Sequence, residues 1–143
     1  MQISIREICP DDAEAAAWLG ELLGYPVSSA VIRERIERLR DAGDRTVLVA
    51  CADDAVVGWI DLSIVSHLVS GSYGEIGGMV VASEYQSRGI GRDLIAQAEG
   101  WVRGRGVTRM VVRSRTTRDR AHRFYIREGY SKTKTSEVFS KEW

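Results

Sequence analysis

Metal-ligating and disulfide-forming residues are scarce in this sequence. Its two cysteines, Cys9 and Cys51, match no metal-binding or redox spacing, and each lies in a segment predicted as a strand or strand end. We therefore expect two reduced, partly buried thiols rather than a disulfide. The two histidines, His67 and His122, match no ligand spacing either, so we expect no bound metal.

Long apolar runs, repeats, linkers and low-complexity segments are also absent. No run of 18 apolar residues exists, which argues against a transmembrane helix and a membrane partner. The apolar stretch from Ala15 to Gly20 is short and is followed by Glu21, which does not fit a secretory signal. We expect a single domain over residues 1–143, located in the cytoplasm.

The charge of the chain is unevenly distributed, although the net charge is zero. Residues 1–87 carry 6 Lys and Arg against 14 Asp and Glu, whereas residues 88–143 carry 14 against 6. The first part suits a cationic partner and the second an anionic one. Two solvated faces that pair with each other explain the same pattern, and charge alone does not decide between these interpretations.

The spacing of apolar residues predicts four helices and about seven strands in the order β-αα-βββ-α-β-α-ββ. The expected strands lie at 3–8, 46–52, 55–65, 73–82 and 110–112, with a final strand pair at 130–140. The expected helices lie near 13–24, 28–39, 90–102 and 119–128. A central strand–helix–strand crossover predicts one parallel pair, so the fold class is α/β, or equally α+β, with a mixed sheet.

Several residues predict where these elements begin, end or bend. Asp11, three residues before Glu14, has the spacing of a capping box. Ser28 or Ser29 can cap the second helix, and Gly129 is expected to end the last one. The pair Gly77-Gly78 within a strand predicts a β-bulge.

The segment Gly89-Ile90-Gly91 lies between a strand and a helix, where phosphate-binding loops place glycines. Leu94 stands where a dinucleotide-binding fingerprint needs a third glycine, and Arg92 stands where a Walker loop needs lysine. Two interpretations are left. The loop is either an anion-binding turn flanked by Arg88 and Arg92, or an ordinary turn with exposed arginines.

Two motifs resemble those of the GNAT superfamily of N-acetyltransferases. Gln86-x-x-Gly89-x-Gly91 is similar to its Gln/Arg-x-x-Gly-x-Gly/Ala signature, and the run at 121–130 is similar to its Ala-x-x-Phe-Tyr-x-x-x-Gly-Phe/Tyr helix. The motifs fill roughly residues 75–130, and the resemblance in element order extends over nearly the whole chain. The resemblance implies an acyltransferase.

The resemblance also implies acetyl-coenzyme A as the co-substrate. The residues expected to bind it are Met79, Val80, Val81, Gln86, Ser87, Arg88, Gly89, Ile90, Gly91, Arg92, Ser114, Arg118 and Phe124. The Met79 amide is expected to bond the thioester carbonyl, while Val80 and Val81 pair with pantetheine through their backbones. Arg118 stands at a position where the family often has Asn. Its side chain is expected to face either a phosphate or solvent.

Two catalytic residues follow from the resemblance. Tyr125 is expected to protonate the leaving thiolate, although a core aromatic residue is the alternative. Glu75 is expected to be the general base, although a structural or substrate-anchoring charge is equally compatible with its place. The acceptor is expected to contact Tyr25, Asp61, His67 and Tyr73; the last three are also alternative proton acceptors.

The resemblance leaves the acceptor open. The acidic first part favours a cationic small molecule as the acceptor, and its primary amine is expected to attack directly in a ternary complex. The alternatives are a protein N-acetyltransferase and a catalytically silent coenzyme-binding or interaction module. Nine arginines from 103 to 127 suggest a nucleic-acid surface, but no aromatic residues alternate with them, so we expect none. A homodimer and a monomer are both left open.

Overall fold

The computed structural model describes residues 2–143, which fall into two compact units, one up to Val112 and the other Arg113–Trp143. The prediction of a single domain over 1–143 stays a prediction. No helix in the described part of the chain is long and apolar enough to cross a bilayer.

The first unit is built on a five-stranded mixed sheet. Its strands are β1 (Ile3–Glu7), β2 (Arg45–Ala52), β3 (Ala55–His67), β4 (Gly71–Val81) and β5 (Met110–Val112), in the spatial order β1-β2-β3-β4-β5. Its helices are α1 (Ala13–Leu22), α2 (Ser29–Leu39) and α3 (Ile90–Arg103). The first three pairings are antiparallel, and β5 is parallel to β4 because α3 carries the chain across the sheet.

Helices cover both faces of the sheet. Trp59 of β3 faces α1 and donates its indole N–H to the carbonyl of Ala16 at 3.2 Å. Gly74 of β4 faces α3, since a side chain there would meet Val102. Because successive strand residues alternate between faces, the odd-numbered residues of β3 from Trp59 onward lie on the α1 side and the even-numbered ones on the α3 side. Before Gly58 a register shift with β2 interrupts this alternation, and Val56 packs with Leu19 of α1. The largest fully buried side chains of both layers are Leu19, Val49, Ile60, Leu62, Ile90, Leu94 and Ile95.

A β-bulge interrupts the pairing of β3 with β4. Asp61 lies opposite Gly78, and the next residue of β3, Leu62, lies opposite Ile76, so Gly77 is the extra residue. This confirms the bulge predicted from the two adjacent glycines, and it shifts the register of β4 by one residue.

The first helix begins one residue later than the capping-box spacing predicts. Pro10–Asp12 form a 3₁₀ turn, and Asp12 rather than Asp11 precedes α1. The carboxylate of Asp12 accepts the Cys9 amide at 2.8 Å and pairs with both terminal nitrogens of Arg6. The pKa of Asp12 is lowered mainly by the hydrogen bonds from Arg6. A side chain engaged in this way fixes the turn after β1, which a capping pattern alone does not reveal.

Of the other local predictions, the helix cap is confirmed and the burial of one cysteine is corrected. Ser28 caps α2 by accepting the amide of Val31 at 3.2 Å, as predicted. Both cysteines are free; Cys51 is buried, whereas Cys9 is exposed, which corrects the expectation of a partly buried thiol there.

The second unit contains α4 (Asp119–Arg127) and an extended tail. The last residue of α4 is Arg127, and Gly129 stops its continuation with a left-handed φ of 94°, while the amide of Tyr130 bonds back to the Tyr125 carbonyl at 3.0 Å. No residue of 113–143 lies in a strand. This corrects the expected strand pair at 130–140 and the total of about seven strands. Alternation indicates which side chains a strand would present, but a strand also needs a partner for its backbone.

Two glycines provide a test of this packing. A Cβ at Gly74 would lie 2.6 and 2.8 Å from the methyl carbons of Val102, so Gly74→Ala is expected to destabilise the protein by about 1–3 kcal/mol. A Cβ at Gly100, within α3, would point into open space, so Gly100→Ala is expected to stabilise the protein by about 1 kcal/mol. Urea unfolding measures both, and equal signs would contradict the packing of α3 on β4.

Candidate active site

The loop between β4 and α3 has a backbone shape that depends on glycine. After a 3₁₀ turn at Ser83–Tyr85, Ser87 and Gly89 adopt left-handed φ angles of 63° and 83°. The first α-helical hydrogen bond of α3 runs from the Asp93 amide to the Gly89 carbonyl at 3.0 Å. The preceding amides therefore have no acceptor within the helix, and they form the positive end of its dipole. Such an end binds anions.

Two of the predicted coenzyme-binding residues hold the loop in place. Gln86 donates its side-chain amide to the carbonyl of Val81 at 3.1 Å, which ties the loop to the end of β4. Ile90, the first residue of α3, is buried, with 1% of its surface exposed. The exposed members of the motif are Ser87, Arg88, Gly89 and Arg92, with Gly91 half-buried between them. These five are accessible to a ligand, whereas Gln86 and Ile90 shape the loop.

The strand before the loop has an open edge. β5 pairs with β4 only along Gly74–Ile76, so no strand in the described chain pairs with Gly77–Val81 on the side away from β3. The amide of Ala82 donates to Val57 of β3 at 2.8 Å. Backbone N–H and C=O groups alternate in direction along a strand. The backbone groups of Val80 therefore also point toward β3, whereas those of Met79 and Val81 point to the open edge.

Two carboxylates lie beside the bulge on the α1 face of the sheet. Asp61 of β3 lies opposite Gly78 of β4. Glu75 of β4 lies opposite Ser63, which follows Asp61 by two residues on β3 and therefore shares its face. A Cβ at Gly77 would lie 3.5 Å from Oδ2 of Asp61, so the absence of a side chain there leaves this carboxylate accessible. Both carboxylates are partly exposed.

Arg45 fixes the orientation of Asp61. Its Nη2 lies 2.8 Å from Oδ1 of Asp61, and within residues 2–143 Oδ2 accepts no hydrogen bond. Arg45 was not among the residues predicted from the sequence. The two residues are 16 positions apart, and their contact depends on the register in which Arg45 pairs with Ser63. No local pattern carries that information.

The other predicted acceptor contacts are divided between two places. Tyr73 is buried near the β3–β4 turn; its hydroxyl lies 3.4 Å from Nε2 of His67, and its ring lies under the Arg109 guanidinium. Tyr25 is exposed in the turn between α1 and α2. Tyr73 and His67 therefore form one cluster on the β3–β4 hairpin, and Tyr25 lies on a separate connection.

The second unit places Tyr125 in an aromatic cluster. Its ring meets Phe124 and Tyr130 edge to face, with ring centroids 5.2 and 5.8 Å apart. Burial raises the pKa of Tyr125 above its usual value, and the positive charge of Arg118 acts in the opposite direction. The phenol is therefore protonated at neutral pH. Ser114 is exposed, and Arg118 immediately precedes α4.

Comparison with known proteins identifies the family. The model described as the acetyltransferase (GNAT) family matches residues 12–130. The chain belongs to this family. As a GNAT N-acetyltransferase it is an acyltransferase, and its co-substrate is acetyl-coenzyme A.

Individual GNAT proteins resemble it over most of its length. The aminoglycoside N(6')-acetyltransferase type 1 of Stenotrophomonas maltophilia is 30% identical over 135 residues, which cover 91% of this chain and 87% of that protein. An aminoalkylphosphonate N-acetyltransferase of Salmonella typhimurium is 36% identical over 86 residues, 59% of this chain and 56% of that protein. Both of these comparisons are between amino-acid sequences.

Solved structures share the fold. The aminoglycoside acetyltransferase AAC(6')-Iy, in complex with a bisubstrate analogue, superposes with a TM-score of 0.88 at 20% identity, with full coverage of both chains. The enzyme AAC(6')-Ih of Acinetobacter baumannii gives 0.86 at 21% identity, with 99% of each chain covered. At these identities the likeness shows the fold alone.

The loop makes a prediction about coenzyme binding by this GNAT protein. Arg92→Ala removes a guanidinium from the first turn of α3, so the Kd for acetyl-coenzyme A is expected to rise about tenfold, the loss of one charge-assisted hydrogen bond. Arg103→Ala, at the other end of the same helix, is the matched control and should leave the Kd unchanged. Isothermal titration measures both. An equal effect of the two substitutions would contradict binding at the N-terminus of α3.

Proposed function

We propose that the protein transfers the acetyl group of acetyl-coenzyme A directly to the primary amine of a cationic small molecule, in a ternary complex. The observation that carries this proposal is the pair of partly exposed carboxylates, Asp61 and Glu75, on one sheet face beside the β4 bulge. The names of the two relatives, which act on an aminoglycoside and an aminoalkylphosphonate, support a small amine as the acceptor.

Acetyl-coenzyme A is proposed to bind along the open edge of β4 and at the loop. The amide of Met79 points to that edge and is suited to bond the thioester carbonyl, and Val81 offers its backbone N–H to pantetheine, since its carbonyl accepts from Gln86. Val80 is suited only to a side-chain role, since its backbone groups face β3. The loop amides and Arg92 receive the pyrophosphate, with Ser87 and Arg88 beside them.

Glu75 is proposed to be the general base. It lies on β4 two residues before the extra residue of the bulge, on the face with Asp61. The carboxylate takes the proton of the acceptor ammonium, directly or through water, and the neutral amine attacks the thioester carbon. The Met79 amide stabilises the oxyanion that forms, and the carbon–sulfur bond then breaks.

Asp61 is proposed to anchor a second cationic group of the acceptor. Arg45 occupies Oδ1, which leaves Oδ2 directed toward the bulge. A carboxylate held in one orientation selects for the position of a positive charge, and this favours acceptors with two or more ammonium groups. The pair formed by buried Tyr73 and exposed His67 lies further along the same hairpin and is proposed to bound the acceptor pocket.

Tyr125 is proposed to protonate the departing thiolate. Its raised pKa keeps the proton on the phenol through the neutral range, and the nearby charge of Arg118 stabilises the phenolate that forms when the proton leaves. In this proposal Arg118 has an electrostatic role in place of the Asn that the family often has, with Ser114 and Phe124 lining the coenzyme.

The proposed reaction needs no acyl-enzyme. Cys51 is buried in β2, and Cys9 lies in the turn after β1, so neither belongs to β4, the glycine loop or α4. Free thiols also fit a reducing compartment, and we propose the cytoplasm.

Tyr125→Phe provides the test of the acid. We expect kcat to fall about 10²-fold or more, the usual contribution of a positioned proton donor, with an unchanged Kd for acetyl-coenzyme A. Tyr130→Phe removes a hydroxyl from the same aromatic cluster and should leave kcat unchanged. Turnover is followed as release of free thiol. A Tyr125→Phe enzyme with wild-type kcat would remove the phenol from the reaction.

The two carboxylates provide the test of acceptor class. Against a panel of aminoglycosides, polyamines, aminoalkylphosphonates and monoamines, we expect thiol release to be fastest with acceptors that carry several ammonium groups. Asp61→Asn should raise KM for these acceptors about tenfold with little change in kcat, while Glu75→Gln should lower kcat, most strongly at low pH, where the amine needs a base.

The control for both is Asp54→Asn, in the exposed turn between β2 and β3, which should change neither constant. If Asp61→Asn affects monoamines and polyamines equally, the anchoring role is wrong. If no amine in the panel releases thiol while acetyl-coenzyme A still binds, the proposed acceptor class is wrong.

A further inference from the structure

A small core cluster under α1 supports the half of β4 that lies beyond the bulge. Val80 and Ala82 at the end of β4 are buried together with Leu19 of α1. The partly buried side chains that pack on these three are Leu23, Val56, Trp59 and Tyr85. Because this half of β4 pairs with no strand but β3 in the described chain, the cluster gives it a further support.

Trp59 of β3 connects this cluster to α1 and to β4. Its indole N–H donates to the carbonyl of Ala16 at 3.2 Å. A Cβ at Gly20 would lie 4.0 Å from Cζ2 of the ring, so the ring lies against α1 at a point where the helix has no side chain. In the sheet Trp59 lies opposite Val80. The indole is therefore held between the helix and the strand.

The far side of the same ring fills the space beside Gly78. A Cβ at Gly78 would lie 3.3 Å from Cζ3 and 3.5 Å from Cη2 of Trp59, and 3.7 Å from Cδ2 of Leu23. Gly78 follows Gly77, the extra residue of the bulge, and directly precedes Met79. The ring thus supports the backbone one residue away from the amide proposed to bond the thioester carbonyl.

The position of the Met79 amide depends on such neighbouring contacts. This amide points to the open edge of β4, where no strand of the described chain pairs with it. Side chains that pack on Gly78 and Val80 therefore decide where it lies. A donor to an oxyanion acts only within hydrogen-bond distance of the place where the charge develops, so a small displacement of the strand weakens it.

We propose that Trp59 is a positioning residue for acetyl transfer. It holds the backbone of Gly78 and Met79 where the Met79 amide reaches the thioester carbonyl, and it acts through β4 rather than by contact with the reacting atoms. This inference rests on the proposed function, because it assumes the role given there to the Met79 amide.

The first test compares acetyl-coenzyme A with coenzyme A, which lacks the thioester carbonyl. We expect the wild-type chain to bind acetyl-coenzyme A about three- to tenfold more tightly, the contribution of one neutral hydrogen bond. Trp59→Phe removes the indole N–H and the ring atoms beside Gly78. It should abolish most of this preference and leave the Kd for coenzyme A unchanged. Isothermal titration measures both constants.

Val102→Ala is the control for a loss of packing elsewhere. Val102 is buried in α3, on the other face of the sheet. Its truncation should lower the melting temperature, as Trp59→Phe does, but should leave the preference for acetyl-coenzyme A intact.

The outcomes separate the two claims, and none of these measurements needs an acceptor. If the wild-type chain binds both coenzymes equally, the role of the Met79 amide is wrong, and the positioning role with it. If the wild-type chain has the preference and Trp59→Phe keeps it, the positioning role alone is wrong, and Trp59 only stabilises the fold.

The second test uses Gly78→Ala, whose Cβ would press on the indole ring. Gly78 has no positive φ, so alanine suits its backbone. We expect kcat, followed as thiol release, to fall about tenfold in Gly78→Ala and in Trp59→Phe alike, since both displace the Met79 amide. The smaller phenyl ring leaves room for the added methyl group, so the double variant should be no slower than Trp59→Phe alone. Effects that multiply to about a hundredfold in the double variant would show two independent causes and would overturn the proposal.

Discussion

The extra residue in β4 is the constraint on which the site depends. Gly77 has no partner on β3, and the register shift that it causes is placed between Asp61 and Leu62. Before the bulge, β4 pairs with strands on both sides; after it, β4 pairs only with β3. The same residue, because it has no side chain, leaves Oδ2 of Asp61 accessible. One glycine thus separates the strand edge available to a coenzyme from the carboxylates available to an amine.

The elements around the bulge hold the two halves of the site in register. Gln86 ties the glycine loop to Val81, so the N-terminus of α3 is fixed relative to the open edge of β4. Arg45 holds Asp61 from the next strand, and the burial of Ile90 and Leu94 fixes α3 on the sheet. The loop therefore lies on a rigid base, which limits the conformational cost of the coenzyme binding proposed for it.

Much of this arrangement follows from the sequence. The helices and the five strands that form were predicted within a few residues of their bounds, because their apolar periods are regular and their ends carry capping serine or glycine. The bulge was predicted from Gly77-Gly78, and the family from the loop and the Phe124-Tyr125 helix. The contact of Arg45 with Asp61 could not be predicted, since it depends on strand register. The strand pair at 130–140 was wrong: its residues alternate as in a strand, but none of them forms a strand, because alternation describes side chains and not backbone pairing.

The most direct test of the proposed coenzyme site is amide hydrogen exchange along β4 with and without acetyl-coenzyme A. Met79 and Val81 point to the open edge, whereas Val80 already bonds toward β3. We expect acetyl-coenzyme A to slow exchange at Met79 and Val81, together with the amides at the start of α3, and to leave Val80 unchanged. Binding that protects the start of α3 but not Met79 or Val81 would contradict the proposal that the coenzyme lies along the edge opened by the bulge.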